Sequence, residues 1–562
     1  MNNLKKYVDY LNTLHNANAG NENTIAESQV KNDFYPLIKV ERKIGNLLYE
    51  KLIQENIVLI LTGHAGDGKT SLLSQILLRG NAIKNKQALK TKDRVLLNDK
   101  SLFYIKDLSE FGEVEQYNAL KEGMINSEEG SSIIISNVGP LIKNLKKYYQ
   151  EKGINSIDTE SEILNAIDNN LGEKLEFDSY KSNVFIVNIA KINNTGFVSE
   201  FIDKILNPEL WKDDFVNKDN AIYKNFEYLF KNKERVKKFV QTFYQWQYEH
   251  DQRSTIRQIV AHIAYSLTGN NTLDEANELK FADNNFAHFF FGYKDGKLDE
   301  EGQQIDSIRK IVELRLDEKK SEIDYKFFVE ENLSSLPLEI AKEFENIFYD
   351  DISVESFKEN RKALRRLYYF WGENNLENNY LSNIYSEQFL EYLQYKNGKQ
   401  GYKDLDEKIF GALHRFFTGQ TLDSGNRKKI YLTLKREGNY VQNVQLILGE
   451  ISKKDIKLEF LKSENFLEEY EYKPYLKVRG NKQDKKIKLN YPLIKYFDEL
   501  NEGLVKTKLE AHLSNGVDSL KAVLINLFKE EDQSEINFLI TTNRGMEVYC
   551  LEIDEKLEMY RD

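Results

Sequence analysis

Eight residues near the start of the chain, Gly63-His64-Ala65-Gly66-Asp67-Gly68-Lys69-Thr70, have the types and spacing that bind phosphate. Four residues separate the first glycine from Gly-Lys-Thr, which is the Walker A pattern. Gly63, Gly66 and Gly68 carry no Cβ, so the backbone is free to take left-handed angles and bring its N–H groups against phosphate oxygens. Lys69 supplies a point charge for the β- and γ-phosphates, and Thr70 a hydroxyl for Mg²⁺. The competing explanation is a glycine-rich turn that matches by chance, and context argues against it. An apolar run of strand length, Ile57-Val58-Leu59-Ile60-Leu61-Thr62, leads in. An apolar-periodic helix, beginning at Lys69 and running through Ser71 to about Leu78, follows without a gap and adds the positive end of its dipole. The expected ligand is a nucleotide with Mg²⁺.

Hydrolysis needs further groups. Leu102-Phe103-Tyr104-Ile105-Lys106-Asp107 reads as a short strand ending in an acid, the form of a Walker B strand, in which Asp107 would hold Mg²⁺ and Glu110 would orient the attacking water. Lys106 interrupts the apolar run and Glu110 stands three residues on. A helix-capping role for Asp107 therefore stays open beside the catalytic one. Ser131 to Ile135, followed by Ser136-Asn137-Val138-Gly139-Pro140, resembles the sensor-1 strand of AAA+ ATPases. In that family the asparagine lies between Walker A and Walker B and contacts the γ-phosphate or the water, and by resemblance Asn137 would do so here. Asn-x-Gly-Pro is also good turn chemistry. In AAA+ lids a helix-borne arginine reaches back to the γ-phosphate as sensor 2. By resemblance Arg257, in a helix that Ser254 or Thr255 caps and Gly269 ends, would do so, with Arg253 next, and a solvated or ion-paired arginine is the competing reading.

These groups need a scaffold. The segment 37–52 repeats apolar residues at helical spacing and feeds the strand before the loop, while 184–190 is a further buried strand. Strands alternating with helices through 57–190 predict a parallel sheet covered on both faces, with nucleotide at the carboxyl ends of its strands. The stretch 84–94 reads as a basic linker. Residues 198–270 are helical, 270–300 polar with an aromatic knot around His288, and 305–420 amphipathic helices. The segment Arg361-Lys362-Ala363-Leu364-Arg365-Arg366-Leu367-Tyr368-Tyr369-Phe370-Trp371 interleaves cations and aromatics. That suits nucleic acid, but it suits better a helix with an aromatic core face and a solvated basic one. Past Ser424-Gly425-Asn426 the period changes to two, with strands at 430–434, 444–448, 475–478 and 487–489 and a final pair over 536–553. Lys477, Arg479, Lys482, Lys485, Lys486 and Lys488 make a basic hairpin. The expected architecture is an α/β P-loop NTPase, AAA+-like with a parallel sheet, a helical lid and a mostly helical C-terminal region containing a small β element. Its divisions fall at 1–34 (helical segment), 35–197 (ATPase core), 198–300 (lid), 301–424 (helical domain) and 425–562 (mixed α/β).

Composition limits the classes. At 562 residues, with 41% hydrophobic residues, 33 Tyr and 32 Phe, the chain has material for several packed cores, which excludes a disordered protein. One cysteine, Cys550, excludes an internal disulfide and a cysteine-based zinc site. The other histidines stand as isolated as His288, so His288 is read as packed or at the surface rather than as a metal ligand. Without an apolar signal core or a bilayer-length run, the expectation is a cytoplasmic chain with no membrane partner. A net charge of −11 argues against a protein that coats DNA generally and leaves room for a local basic groove.

The order of Gly-His-Ala-Gly-Asp-Gly-Lys-Thr, Ile-Lys-Asp-Leu-Ser-Glu, Ile-Ser-Asn-Val-Gly-Pro-Leu and Thr-Ile-Arg-Gln before Leu-Thr-Gly is similar to that of the DptF-type ATPases of bacterial phosphorothioation-dependent DNA restriction systems. The resemblance implies an ATP-hydrolysing subunit of an anti-phage defence complex that acts on DNA directly or through partner subunits, with homo-oligomers possible. A nucleotide-switched assembly protein with little turnover is the alternative. A GTPase would need Asn-Lys-x-Asp, and Asn217-Lys218-Asp219 and Asn232-Lys233-Glu234 miss that spacing.

Overall fold

A computed structural model describes residues 3–15, 32–84, 87–169, 174–177, 180–213, 216–250, 252–350, 353–372, 385–396, 403–419, 428–434, 442–462, 472–480, 484–503, 509–529, 535–542, 545–552 and 559–561. Residues 16–31 of the expected N-terminal helical segment, the boundary at Ser424-Gly425-Asn426 and Lys482 lie outside them. The chain forms two compact units, one of residues 1–385 with 465–469, the other of 386–464 with 470–562.

The first unit is built on six strands: β1 (Val58–Thr62), β2 (Lys92–Leu97), β3 (Lys100–Ile105), β4 (Ser131–Ile135), β5 (Lys174–Phe177) and β6 (Tyr180–Asn188), in the spatial order β2-β3-β4-β1-β6-β5. The central four are parallel. Every residue of β1 and β4 is buried, as expected of strands covered on both faces. Alternation divides β1 between two cores. Leu59 and Leu61 face Leu48, Leu72 and Ile76 of helices Lys43–Gln54 and Lys69–Arg79. Val58 and Ile60 face Leu120, Leu141 and Ile163 on the opposite layer. Each such side chain contributes roughly 1.5–3 kcal/mol by leaving water.

The sheet is mixed rather than wholly parallel, because both edge strands run antiparallel to their neighbours. The reason at one edge is a tight turn. Asn98 and Asp99 join β2 to β3 and carry φ of 46° and 66°. A two-residue hairpin with both φ positive closes only antiparallel strands. What reads in sequence as a basic linker therefore ends in an edge strand, whose burial alternates along Lys92–Leu97.

Among the described residues, helices make up most of the rest of this unit. Asn3–His15 packs among them: Tyr7 donates to the Ile205 carbonyl at 2.9 Å and Asn12 to that of Asn271 at 2.9 Å. The polar stretch 270–300 holds the short helix Phe286–Phe290 and a small hairpin, β7 (Tyr293–Lys294) and β8 (Lys297–Leu298). Around Phe290, rings from Phe239, Phe243, Phe286 and Phe370 meet with centroids 5.1–6.0 Å apart.

The second unit holds β9 (Lys429–Leu434), β10 (Val444–Ser452), β11 (Ile456–Lys462), β12 (Tyr472–Arg479), β13 (Asp484–Lys488), β14 (Glu535–Thr542), β15 (Gly545–Glu552) and β16 (Met559–Arg561). Five form an antiparallel sheet in the order β16-β15-β14-β10-β9, and β11-β12-β13 form another. Helices Glu387–Lys396, Lys403–Thr418, Tyr491–Asn501 and Ala511–Phe528 accompany them. The β content here exceeds the small element expected. β11 in particular carries a period of two, Ile-Lys-Leu-Glu-Phe-Leu-Lys, that the sequence reading passed over. Among the described residues no helix is long and apolar enough to cross a membrane.

Candidate functional site

The loop between β1 and helix Lys69–Arg79 takes the backbone its glycines permit, with φ of 147°, 83° and 83° at Gly63, Gly66 and Gly68. It closes around Lys69, whose ammonium donates to the carbonyls of Gly63 at 2.7 Å and His64 at 3.0 Å. Burial lowers the Lys69 pKa, while the charges of Asp67 and Asp107 pull the other way. Thr70 and Ser71 stand in the first helical turn, half-buried, and Tyr35 meets the Ser71 hydroxyl at 3.4 Å. His64 and Ala65 are exposed at the tip.

Asp67 points the other way. It is fully buried and takes the His64 N–H on one carboxylate oxygen at 2.9 Å and the Arg253 guanidinium on the other at 2.7 Å. Arg253 also donates to the carbonyls of Ile189 at 3.0 Å and Ile192 at 2.8 Å, just past the end of β6. From the other side, buried Arg42 donates to the Asp67 carbonyl at 2.9 Å, with its own backbone held by Gln75. Arg253 is thus a brace under the loop, not a free sensor. The Asp67–Arg253–Arg42 framework escaped the sequence reading. The sequence shows the acid inside the loop; its burial, which is what calls for a cation, is set by the tertiary structure.

The helix Ile256–Thr268 begins against the loop. Thr255 caps it in a reciprocal box with Gln258, and the Arg257 N–H donates to the Gly66 carbonyl at 3.3 Å. A Cβ built on Gly66 would lie 3.2 Å from the Cβ of Arg257 and 3.2 Å from the Thr255 hydroxyl. The structure therefore brings Arg257 onto the loop, 191 residues along the chain from Gly66.

Sheet register carries the other candidates to the same end of the sheet. Ile134 pairs with both Ile60 and Ile105, so Asp107 stands two residues beyond β3's last pair, level with Thr62 and about 10 Å from it by two strand spacings. Asp107 caps the short turn Leu108–Glu110, accepting from the Ser109 N–H at 2.9 Å and its hydroxyl at 2.7 Å. The capping role weighed from sequence is therefore real, and it leaves the carboxylate near enough for its charge to act on Lys69. Glu110 is held by Lys106 in an ion pair at 3.0 Å. Asn137 follows β4, exposed at the N-cap of helix Val138–Glu151, and its side chain makes no cap bond. Asn188, which pairs with Thr62, ends β6 and turns its amide inward to Ile167.

The basic aromatic segment belongs elsewhere. In helix Val354–Trp371, Arg365 binds Asp324 through both Nε and Nη2 at 2.9–3.1 Å, and Arg366, 1% exposed, pairs with Asp317 at 2.5 Å over the Tyr293 ring. Neither is available to a phosphate backbone, and neither is solvated: the aromatic core face is as expected, but these two cations are buried in ion pairs instead of lying on a solvated basic face. The same Arg366 donates to Nδ1 of buried His288 at 3.2 Å, so His288 is a packed side chain.

No protein-family model matches the chain, no curated protein matches it and no solved structure matches it.

Proposed function

We propose that this chain is a P-loop ATPase. The observation that carries the reading is the loop itself. Three glycines take positive φ, a lysine ammonium spans the loop's own carbonyls, and helix Lys69–Arg79 opens directly after the loop that follows strand β1. In this reading Lys69, which now donates to the carbonyls of Gly63 and His64, would turn to the γ-phosphate, and Thr70 with Asp107 would hold Mg²⁺. Asn137, which follows the strand between β1 and β3, and Arg257, whose backbone N–H donates to Gly66, would be the groups that contact the terminal phosphate. Residues Gly63 to Ser71 form the cradle. The test is ATP binding and hydrolysis by the Lys69→Ala variant, expected to fall by orders of magnitude because the lysine and loop carry the phosphate contacts. Near-normal turnover removes the assignment.

The particular ATPase we propose is a cytoplasmic subunit of a bacterial DNA restriction or anti-phage complex, supported by the resemblance to DptF-type proteins. It would use ATP to switch or drive that complex on DNA, with strand cleavage left to a partner subunit. Hydrolysis measured with and without DNA and candidate partners tests this, and activity indifferent to both counts against it. One observation favours a second reading. Glu110, the candidate for orienting water, is tied to Lys106 at 3.0 Å. A protein that binds ATP, oligomerises and turns it over slowly fits that pairing, and ATP-dependent mass in solution with slow hydrolysis would identify it.

A further inference from the structure

The sheet β11-β12-β13 has two unlike faces. Leu458, Phe460, Leu476 and Val478 are buried on one, and Phe460 meets Tyr392 of helix Glu387–Lys396 with ring centroids 5.7 Å apart. The other face carries Lys457, Lys473, Lys477, Arg479, Lys486 and Lys488 against only Glu459 and Asp484, in a chain of net charge −11. Register puts Lys457, Lys477 and Lys486 directly opposite one another in a row across all three strands. Like charges so placed repel, and the sheet is weaker for them. Glu459 relieves part of this by pairing with Lys457 at 3.0 Å and with Lys477. Among the described residues Lys486 and Arg479 form no ion pair.

Lysines on an edge strand deter edge-to-edge pairing, and that accounts for β13. It does not account for β12, the central strand, which sends Lys473, Lys477 and Arg479 to the same face. Between them on that strand stands Tyr475, half-buried, opposite Lys488. A sheet face with a ring set among cations matches what unpaired bases and their phosphates need: a ring to stack on and charges along the backbone.

We propose that this face binds single-stranded nucleic acid, with Lys477, Lys486 and Arg479 on phosphates and Tyr475 stacked on a base. The proposal stands apart from the nucleotide site and does not depend on it. It is tested by fluorescence anisotropy of the full chain with a labelled oligothymidine of about 20 nucleotides, longer than a typical single-domain footprint. The Lys477→Gln/Lys486→Gln variant is expected to bind at least about ten-fold more weakly and to flatten the log–log salt slope by roughly 1.4, at about 0.7 per lost contact. Tyr475→Ala is expected to lose about ten-fold with the slope unchanged. Lys69→Ala should bind like wild type, so failure of the ATPase reading and failure of this one are separable. Thermal melts of each variant establish that it folds, and Lys486→Gln alone, exposed on the edge strand, gives a second reading. No binding by wild type, or equal affinity in the folded double variant, overturns the proposal. So does tighter binding to duplex of the same length together with indifference to Tyr475→Ala.

Discussion

Asp67 sets the terms at the residue scale. A carboxylate with no exposure to water is stable only while its partners stay, and here they are one guanidinium and one N–H. Removing one partner of a buried pair costs about 3–5 kcal/mol, because the remaining charge is left without compensation. Arg253→Ala should therefore lower the melting temperature sharply, and the Asp67→Asn/Arg253→Met double variant should recover part of that loss. Additive losses in the double variant would count against the brace. Lysine is not an adequate replacement for Arg253, since a single ammonium does not reach Asp67 and two carbonyls in a fork. At Gly66 the argument is conformational. Its φ of 83° and the 3.2 Å approach to Arg257 predict that Gly66→Ala costs about 1–2 kcal/mol and pushes helix Ile256–Thr268 off the loop. Calorimetry reads the first effect. Loss of the Arg257 amide's protection in hydrogen exchange reads the second.

Helix Ile256–Thr268 shows at the element scale how one segment serves both packing and site. Its start touches the loop, and its middle is nailed into the core by His262. That ring accepts from Tyr244 at Nδ1, 2.7 Å away, and donates from Nε2 to the Phe290 carbonyl at 3.0 Å. Burial depresses its pKa to about 4 and holds His288 well below the usual histidine value. In the unfolded chain these rings titrate near 6.5, so they take up protons first as pH falls. The stability His262 carries is complete above about pH 6.5 and drains away toward pH 4, and His288 adds loss of the same sign below pH 6.5. His262 alone should account for about 2 kcal/mol lost by pH 5, at 1.36 kcal/mol per unit. Urea unfolding at pH 7 and pH 5 checks this, and His262→Gln should lessen the dependence. Helix Val354–Trp371 makes the complementary point, since its arginines fasten core elements together. Arg365→Ala, which strands Asp324, should destabilise the first unit by about 3–5 kcal/mol. It should leave oligonucleotide affinity where it was.

On the scale of the whole molecule, the two compact units predict two unfolding transitions in calorimetry rather than one cooperative melt. On the proposed function, ATP with Mg²⁺ should raise only the transition of the unit that holds the Gly63–Thr70 loop, by about 2.7 kcal/mol at a hundredfold excess over Kd. Oligothymidine should raise only the other. Equal movement of both transitions with either ligand would show that the sites do not belong to separate units.

Much of the scaffold is legible in the sequence because it rests on local physics. The loop is marked by glycine at the positions that need positive φ, β1 by an unbroken apolar run, and the capped helix by Thr255 and Gly269. Such signals lie within a few residues of their cause. The sequence also named Asp107, Asn137 and Arg257, but it could only rank them, since their worth depends on strand order and on where a distant helix begins. Register and packing decided that Arg257 sits on Gly66, that Arg253 is a brace and that Glu110 is paired with Lys106. The same held for cations. Arg365 and Arg366 look in sequence much like Lys477 and Lys486, yet two are buried in ion pairs and two line an exposed sheet. Side-chain type states which charge is present; only the tertiary structure states whether water, a carboxylate or a ligand will meet it.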